Sequence, residues 1–363
     1  HLTVECLTSI TMVLGLMFCM FSASKDVFKM RGISQVALRA LPKAVTNPSM
    51  EEIQDRTIWG YWAQGYDDMP DFCKMCVESW QRHNPAWNVR ILDETTVYDY
   101  LTPEELPNRF SELLEPQIAS DCVRLGLLSR YGGIYLDVSI LVRCNLDSLC
   151  WSDISSGKKT AAVFYLPRYG TAAFENKDFV ESWFLATKPG NSFFLQWRDL
   201  LIELLHDRNC VWGVLSHSLY HGLDLSGFEK LNEDDGTPGW DYREYLAIHC
   251  MCHRLLETDS DRRQQWQDTF IMFDGDATAF KLQQHFENHG EKDVSHALVR
   301  PYFHIPAAVL SASAPPHEFM DDVPLMKFTS IHRERFYNAP RQPLSDTSRI
   351  LGRLLSGRGL GRY

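Results

Sequence analysis

The sequence predicts an α/β fold: a mostly parallel central sheet flanked by helices. Three observations carry this. Between Thr57 and Leu136, short β-branched and aromatic runs alternate with amphipathic stretches in the order strand, helix, strand, helix, strand. Trp59 to Trp62, Asp93 and Asp137 fall at or near the ends of those strands, where open α/β sheets bind ligands. The chain has 363 residues, 45% apolar and 23% charged, enough to bury one large core or two ordinary ones.

The N-terminal run Leu7 to Ala23 carries no charge. It suits a membrane span or a signal-peptide core, with an ordinary core helix as the alternative. We therefore expect a membrane-associated protein, with residues 7–23 as a signal or single-pass anchor in the secretory pathway. Lys25, Lys29 and Arg31 follow the run, while only His1 and Glu5 precede it; this bias would put the C-terminal side in the cytosol, against a catalytic part in a lumen, and orientation stays open. Residues 31–55 read as a linker punctuated by Pro42 and Pro48. The expected organisation is an anchor and linker over 1–55, one catalytic-size domain over 56–345 and a basic flexible tail over 346–363.

Thr57 to Trp62 is the first expected strand, and Gln64 to Pro70 a turn. A helix runs from Pro70 to His83, with Phe72, Met75, Cys76 and Trp80 at helical spacing, and Asn84-Pro85 ends it. Trp87 to Leu92 is the second strand. Residues 96–114 read as mostly helical, interrupted by Pro103 and Pro107. Pro116 opens a long helix that stops at Gly132-Gly133, and a short strand, Ile134 to Leu136, follows. Further on, Ala161 to Leu166 and Thr269 to Phe273 read as strands. Ser192 to His206 and Tyr242 to Leu256 read as helices, and Asn232 to Gly239 as an acidic loop.

The net charge of −11 excludes a general nucleic-acid binder, which needs a cationic face. Among ten cysteines, Cys73 and Cys76 form a C-x-x-C pair, and Cys250, Cys252 and His253 lie close together. Zinc ligation is possible for either set. Both lie on helical patterns, where a cysteine behaves as a small buried hydrophobe.

The chemistry concentrates between Ser120 and Val142. Asp121 and Arg124 are one helical step apart and share a face; an exposed ion pair is the alternative reading. Gly132-Gly133 lets the backbone turn sharply and approach a ligand closely. Asp137 then closes the strand. This order suits a phosphorylated ligand held through a hard cation, which prefers oxygen ligands.

The pattern SDxxRxxxLxxYGGIYxD, read here from Ser120 to Asp137, resembles glycosyltransferases that carry a DXD sugar-binding motif. Together with WGYWAQGYDDMP and CVESWQRHNPAWNVRILD, it resembles more narrowly the capsular polysaccharide synthesis proteins. The similarity covers Thr57 to Val142. It continues more weakly through FVESWFLATKPGNSFFLQW and reaches PLMKFTS near Lys327.

The resemblance implies a GT-A-like, Rossmann-type sheet with a helical C-terminal part. It also implies transfer of a sugar from a nucleotide donor to a glycan or other acceptor, assisted by Mn2+ or Mg2+. Asp121 would contact the donor ribose or sugar, Arg124 would hold the donor, and Trp59 would meet its base. Tyr61, Trp62, Gly132 and Gly133 complete the expected donor site. Asp137 would be the first aspartate of the DXD motif and a catalytic residue.

One departure stands out. The second acidic position of that motif holds Ser139, a weaker and neutral ligand. A metal would then rest on Asp137 and Ser139 with help from another group, for which His332 is the candidate. A rival D-x-D, Asp274-Gly275-Asp276, follows an apolar strand but also reads as a simple turn. Asp276 is retained as a candidate acceptor-side carboxylate or base. Loss of the second aspartate leaves a competing function, a donor-binding or scaffold protein without turnover. A serine hydrolase is disfavoured, because no G-x-S-x-G elbow occurs.

Overall fold

The computed structural model describes residues 56–235, 241–281, 283–284, 323–328, 336–337, 341 and 350–355, which lie in one compact unit spanning Thr46–Tyr363. The run 7–23 and His332 lie outside the described residues. Among the described residues no helix is long and apolar enough to cross a membrane, so no single-pass anchor is indicated there.

The centre is a six-stranded sheet. Its strands are β1 (Thr57–Tyr61), β2 (Asn88–Leu92), β3 (Gly133–Leu136), β5 (Ala161–Tyr165), β6 (Val180–Thr187) and β7 (Phe270–Asp274), in the spatial order β2-β1-β3-β6-β5-β7. β1 pairs in parallel with β2 and β3, and β5 with β7; β6 alone runs antiparallel to its neighbours β3 and β5. Five of the six strands therefore end on the same side, as the sequence predicted. A separate two-stranded ribbon joins β4 (Ile140–Val142) to β8 (Leu325–Lys327), with Ile140 opposite Lys327.

Helix α1 (Asp71–His83) buries Phe72, Cys73, Cys76 and Trp80. Its Trp80 Nε1 donates to the carbonyl of Ile140 at 2.7 Å, which ties α1 to the β4 ribbon. Helix α2 (Pro116–Tyr131) opens with proline at its first turn, where the missing N–H costs nothing. It ends at Gly132, whose N–H donates to Leu128 O at 3.0 Å. Gly132 and Gly133 both have positive φ, 65° and 90°. A Cβ on Gly133 would stand 2.5 Å from the Thr57 carbonyl oxygen, and one on Gly132 would stand 2.6 Å from Pro189. The close approach these glycines permit is to the protein's own backbone. Helices α3 (Ser192–Leu204), α4 (Ser226–Asp235), α5 (Ala247–Thr258) and α6 (Ser260–Thr269) supply the expected helical C-terminal part.

Several local expectations change. Residues 96–114 hold three short 3-10 turns, at Thr96–Asp99, Pro103–Glu105 and Phe110–Glu112, because the two prolines leave no room for a continuous hydrogen-bond ladder. The helix expected over Tyr242 to Leu256 is broken at Leu246, with a short turn Tyr242–Tyr245 before α5. The acidic stretch begins as helix, since α4 continues to Asp235. Within the expected mobile tail, Ile350–Leu355 is helical and buries Leu351, Leu354 and Leu355. Its Leu355 carbonyl accepts from Arg82 Nη1 at 2.8 Å. Cys73, Cys76, Cys250 and Cys252 are buried, as small apolar side chains are, and burial raises the thiol pKa of the last three.

Candidate active site

A cavity of about 580 Å³ opens beyond the carboxyl ends of β1 and β3. Asp121, Arg124, Asp137, Ser139, Tyr61 and Trp62 from the expected site all line it. Three of them form its charged floor together with Lys327.

Arg124 is the hub. It is 4% exposed, and the guanidinium reaches five neighbours. Its Nη2 lies 3.2 Å from Asp121 Oδ1 and 3.1 Å from Asp137 Oδ1. The same nitrogen donates to Ser120 Oγ at 3.0 Å, and Nη1 donates to Ser182 Oγ at 2.7 Å. The ring of Tyr135 lies 4.7 Å from the guanidinium carbon, a cation–π contact. Asp121 and Arg124 are thus a buried pair, not an exposed one. Burial pushes the Asp121 carboxyl up to about 6 against the opposing pull of Arg124. Burial works against the charge on Arg124, yet Asp121 and Asp137 hold its pKa above the ordinary value.

Asp137 sits just past β3. Its backbone N–H donates to Trp183 O, and its carbonyl accepts from Ile140 N, each at 3.0 Å. This turn presents Ser139 beside it. The other Asp137 oxygen, Oδ2, accepts from Lys327 Nζ at 2.5 Å, and the same ammonium lies 3.4 Å from Ser139 Oγ. The β4–β8 ribbon delivers Lys327 here through its register with Ile140.

A register jump shapes the next wall. β5 pairs Val163 with Leu185 but Phe164 with Glu181, so β6 carries extra residues at that point. A bulge breaks strict alternation. Glu181, Ser182 and Trp183 consequently all face the cavity. His249 from α5 joins them, with Nε2 3.7 Å from Glu181 Oε2. Trp62 Nε1, Trp183 Nε1 and His249 Nδ1 are buried without a hydrogen-bond partner among the described residues. Orphaned polar atoms on cavity-lining residues fit a wall completed by a polar ligand.

Trp59 is corrected: it is fully buried, packs against Tyr100 and Tyr131, and donates from Nε1 to Gly132 O at 2.8 Å. It does not line the cavity, and neither do Gly132 and Gly133. Asp93 is also elsewhere, accepting from the N–H groups of Thr95 and Thr96 as a turn cap. Asp276 lies beside the cavity wall, with Oδ1 3.3 Å from Arg168 Nη2, and burial raises its pKa despite that arginine. Asp274 does what a turn residue does, accepting from Ala277 N at 2.9 Å. Lys327, Ser182, Glu181 and His249 were not among the expected site residues. Lys327 had only its place within PLMKFTS to mark it.

At Asp137 and Ser139 the expected cation would meet cations of the chain itself, and its third expected ligand, His332, lies outside the described residues. Both oxygens of Asp137 are engaged by cations of the chain, and Lys327 stands between Asp137 and Ser139. Among the described residues no group of three or more His, Cys, Asp or Glu side chains could hold a metal ion.

Residues 30–213, just over half of the chain, match the model of the family described as capsular polysaccharide synthesis protein. The chain is 26% identical over 262 residues to glycosyltransferase afumC of Aspergillus fumigatus, covering 65% of this chain and 64% of that protein. It is 32% identical over 184 residues to O-glycosyltransferase PaGT of Phomopsis amygdali, covering 47% and 43%. It is 29% identical over 194 residues to O-glycosyltransferase braB of Annulohypoxylon truncatum, covering 49% and 45%. The chain therefore spans between 43% and 64% of the length of these curated relatives. With the helix–Gly-Gly–strand segment and its charged cluster inside the matched region, the chain belongs to the capsular polysaccharide synthesis protein family.

Proposed function

We propose that this cavity transfers a glycosyl unit from a nucleotide-sugar donor to a hydroxyl oxygen of an acceptor. The observation that carries the reading is the meeting of Asp121, Arg124, Asp137 and Lys327 on one floor of a cavity beyond the strand ends. A volume of about 580 Å³ suits a ligand of nucleotide-sugar size. The names of two relatives as O-glycosyltransferases support an oxygen acceptor.

In this reading the two cations face the donor diphosphate, and Asp121 accepts from ribose or sugar hydroxyls. Tyr61 and Trp62 supply flat surface for the base. The bond between the anomeric carbon and the diphosphate oxygen breaks, and its electron pair stays on the diphosphate. The acceptor oxygen bonds to that carbon and loses its proton to a carboxylate. Glu181 and Asp276 are the acceptor-side candidates for that base. Fixed cations at the departing diphosphate act by electrostatic preorganisation, which is strong in a site closed to water.

A panel of nucleotide sugars, screened by thermal shift and then by donor hydrolysis, tests the reading. A true donor raises the melting temperature because it binds only the folded state. It is also hydrolysed or transferred, and Asp137→Asn loses that turnover. Binding without turnover of any donor would favour a donor-binding protein, the reading that Ser139 left open. Absence of binding across the panel would sink both.

A further inference from the structure

We propose that Lys327 takes the place of the divalent cation: its ammonium, held between Asp137 and Ser139, is the charge that meets the donor diphosphate, so donor binding and transfer need no metal. This rests on the nucleotide-sugar reading above and deepens it.

Geometry is the first support. Lys327 Nζ is 2.5 Å from Asp137 Oδ2 and 3.4 Å from Ser139 Oγ, bridging the two positions a D-x-D motif would use for a cation. The lysine is not a passing surface chain. Its side chain is 8% exposed, its backbone is fixed in the β4–β8 ribbon, and its N–H donates to Ala279 O at 3.2 Å. The Trp183 ring lies 6.0 Å from Nζ and forms a wall beside it. A buried ammonium persists where it is paired, and Asp137 pairs it.

Charge counting is the second support. Two carboxylates and a dication sum to zero. One carboxylate, one serine and one ammonium also sum to zero. Ser139 and Lys327 together with Asp137 therefore present the same net charge to a diphosphate as a D-x-D pair holding a dication. An aspartate at 139 would leave the lysine between two carboxylates and the floor one charge too negative.

Arg124 is the third. It holds the other Asp137 oxygen at 3.1 Å, so a dication approaching Asp137 would meet two resident cations. When the anomeric carbon–oxygen bond breaks, the electron pair goes to the diphosphate oxygen. Lys327 stabilises that charge without giving up its proton, and the step needs no metal or redox partner.

Calorimetric titration of the 363-residue chain with uridine diphosphate and guanosine diphosphate, in EDTA and in Mn2+, is the test. The expected result is binding of one of them in EDTA, changed by less than about 3-fold on adding Mn2+, well short of a lost charge-assisted contact. Lys327→Met, checked for folding by circular dichroism, should weaken that binding by about 10- to 100-fold, the worth of a charge-assisted contact. The double variant Ser139→Asp, Lys327→Ala should bind only with Mn2+. Binding by wild type that requires Mn2+ would overturn the role of Lys327 and leave the nucleotide-sugar reading intact. Binding in EDTA that Lys327→Met leaves unchanged would overturn it too. No binding of either diphosphate, with no binding across the donor panel, would remove the nucleotide-sugar reading itself.

Discussion

Lys327 and Asp137 are separated by 190 positions in the chain and meet at 2.5 Å on the floor of the cavity. Asp137 is thereby shared. One oxygen faces Lys327 and the other faces Arg124, so a single carboxylate sets the spacing of the two cations. Asp137→Asn keeps the shape and removes the charge that holds both. Turnover should fall on the order of 100-fold, the usual cost of small misplacement in a reacting geometry. Donor affinity should change far less, because the cations remain. Steady-state kinetics beside calorimetry would separate the two effects, and an equal loss in both would contradict the positioning role.

Ser182 is the neutral anchor of the same cluster. Its hydroxyl accepts from Arg124 Nη1 at 2.7 Å, inside the β6 bulge. Ser182→Ala leaves a buried guanidinium N–H without that acceptor, which should cost roughly 1.5–3 kcal/mol in chemical denaturation. KM for the donor should rise as Arg124 loses its fixed orientation. A variant with unchanged stability and unchanged KM would show that Arg124 does not depend on this contact.

Trp59 and Trp62 should behave in opposite ways. Trp59→Phe removes the bond from Nε1 to Gly132 O and part of a packed aromatic cluster. It should destabilise by about 1–3 kcal/mol and leave donor affinity as it was. Trp62→Ala, on the cavity wall, should weaken donor binding more than it lowers the melting temperature. Loss of affinity in the folded Trp59 variant would return that ring to the donor site.

Asp121 carries a pH signature. Burial raises its pKa from the ordinary 3.8 to about 6, so between those values the folded chain holds the proton more tightly than the unfolded one. The group's contribution to stability is therefore greatest below about pH 4 and declines as pH rises through 6. Against Asp121→Asn, which does not titrate, wild type should lose on the order of 3 kcal/mol of relative stability between pH 4 and pH 7. Paired urea melts across that range check it. A constant difference between the two proteins would mean that the carboxyl has its ordinary pKa.

Gly133 should tolerate no side chain. Its φ is 90°, and a Cβ would press to 2.5 Å from the Thr57 carbonyl oxygen, which belongs to the adjacent strand and cannot yield. Gly133→Ala should cost at least ~3 kcal/mol from strain and clash together. Limited proteolysis beside wild type would read it, and equal resistance would contradict the tight approach of β1 and β3.

By itself, the sequence determined the segment from Pro116 to Leu136: a proline-opened helix, a glycine stop and a strand. These are local properties, set by spacing, by a fixed φ and by glycine's access to positive φ. It likewise determined the alternation that makes most of the sheet parallel. β6 was hidden because its apolar stretch Trp183–Ala186 is short, shows no alternation and is preceded by Glu181 and Ser182. Trp59 and Trp62 look equivalent in sequence. Only the assembled sheet shows that the cavity begins past the end of β1, leaving Trp59 two residues deeper, roughly 7 Å along the strand. Lys327 depends on tertiary structure most of all. Its partner is at the other end of the domain, and no local pattern encodes a contact made by the pairing of β4 with β8. Ser139 looked like the loss of a ligand in the sequence. The fold sets an ammonium beside it, and electrostatics there depends on distance in space rather than along the chain.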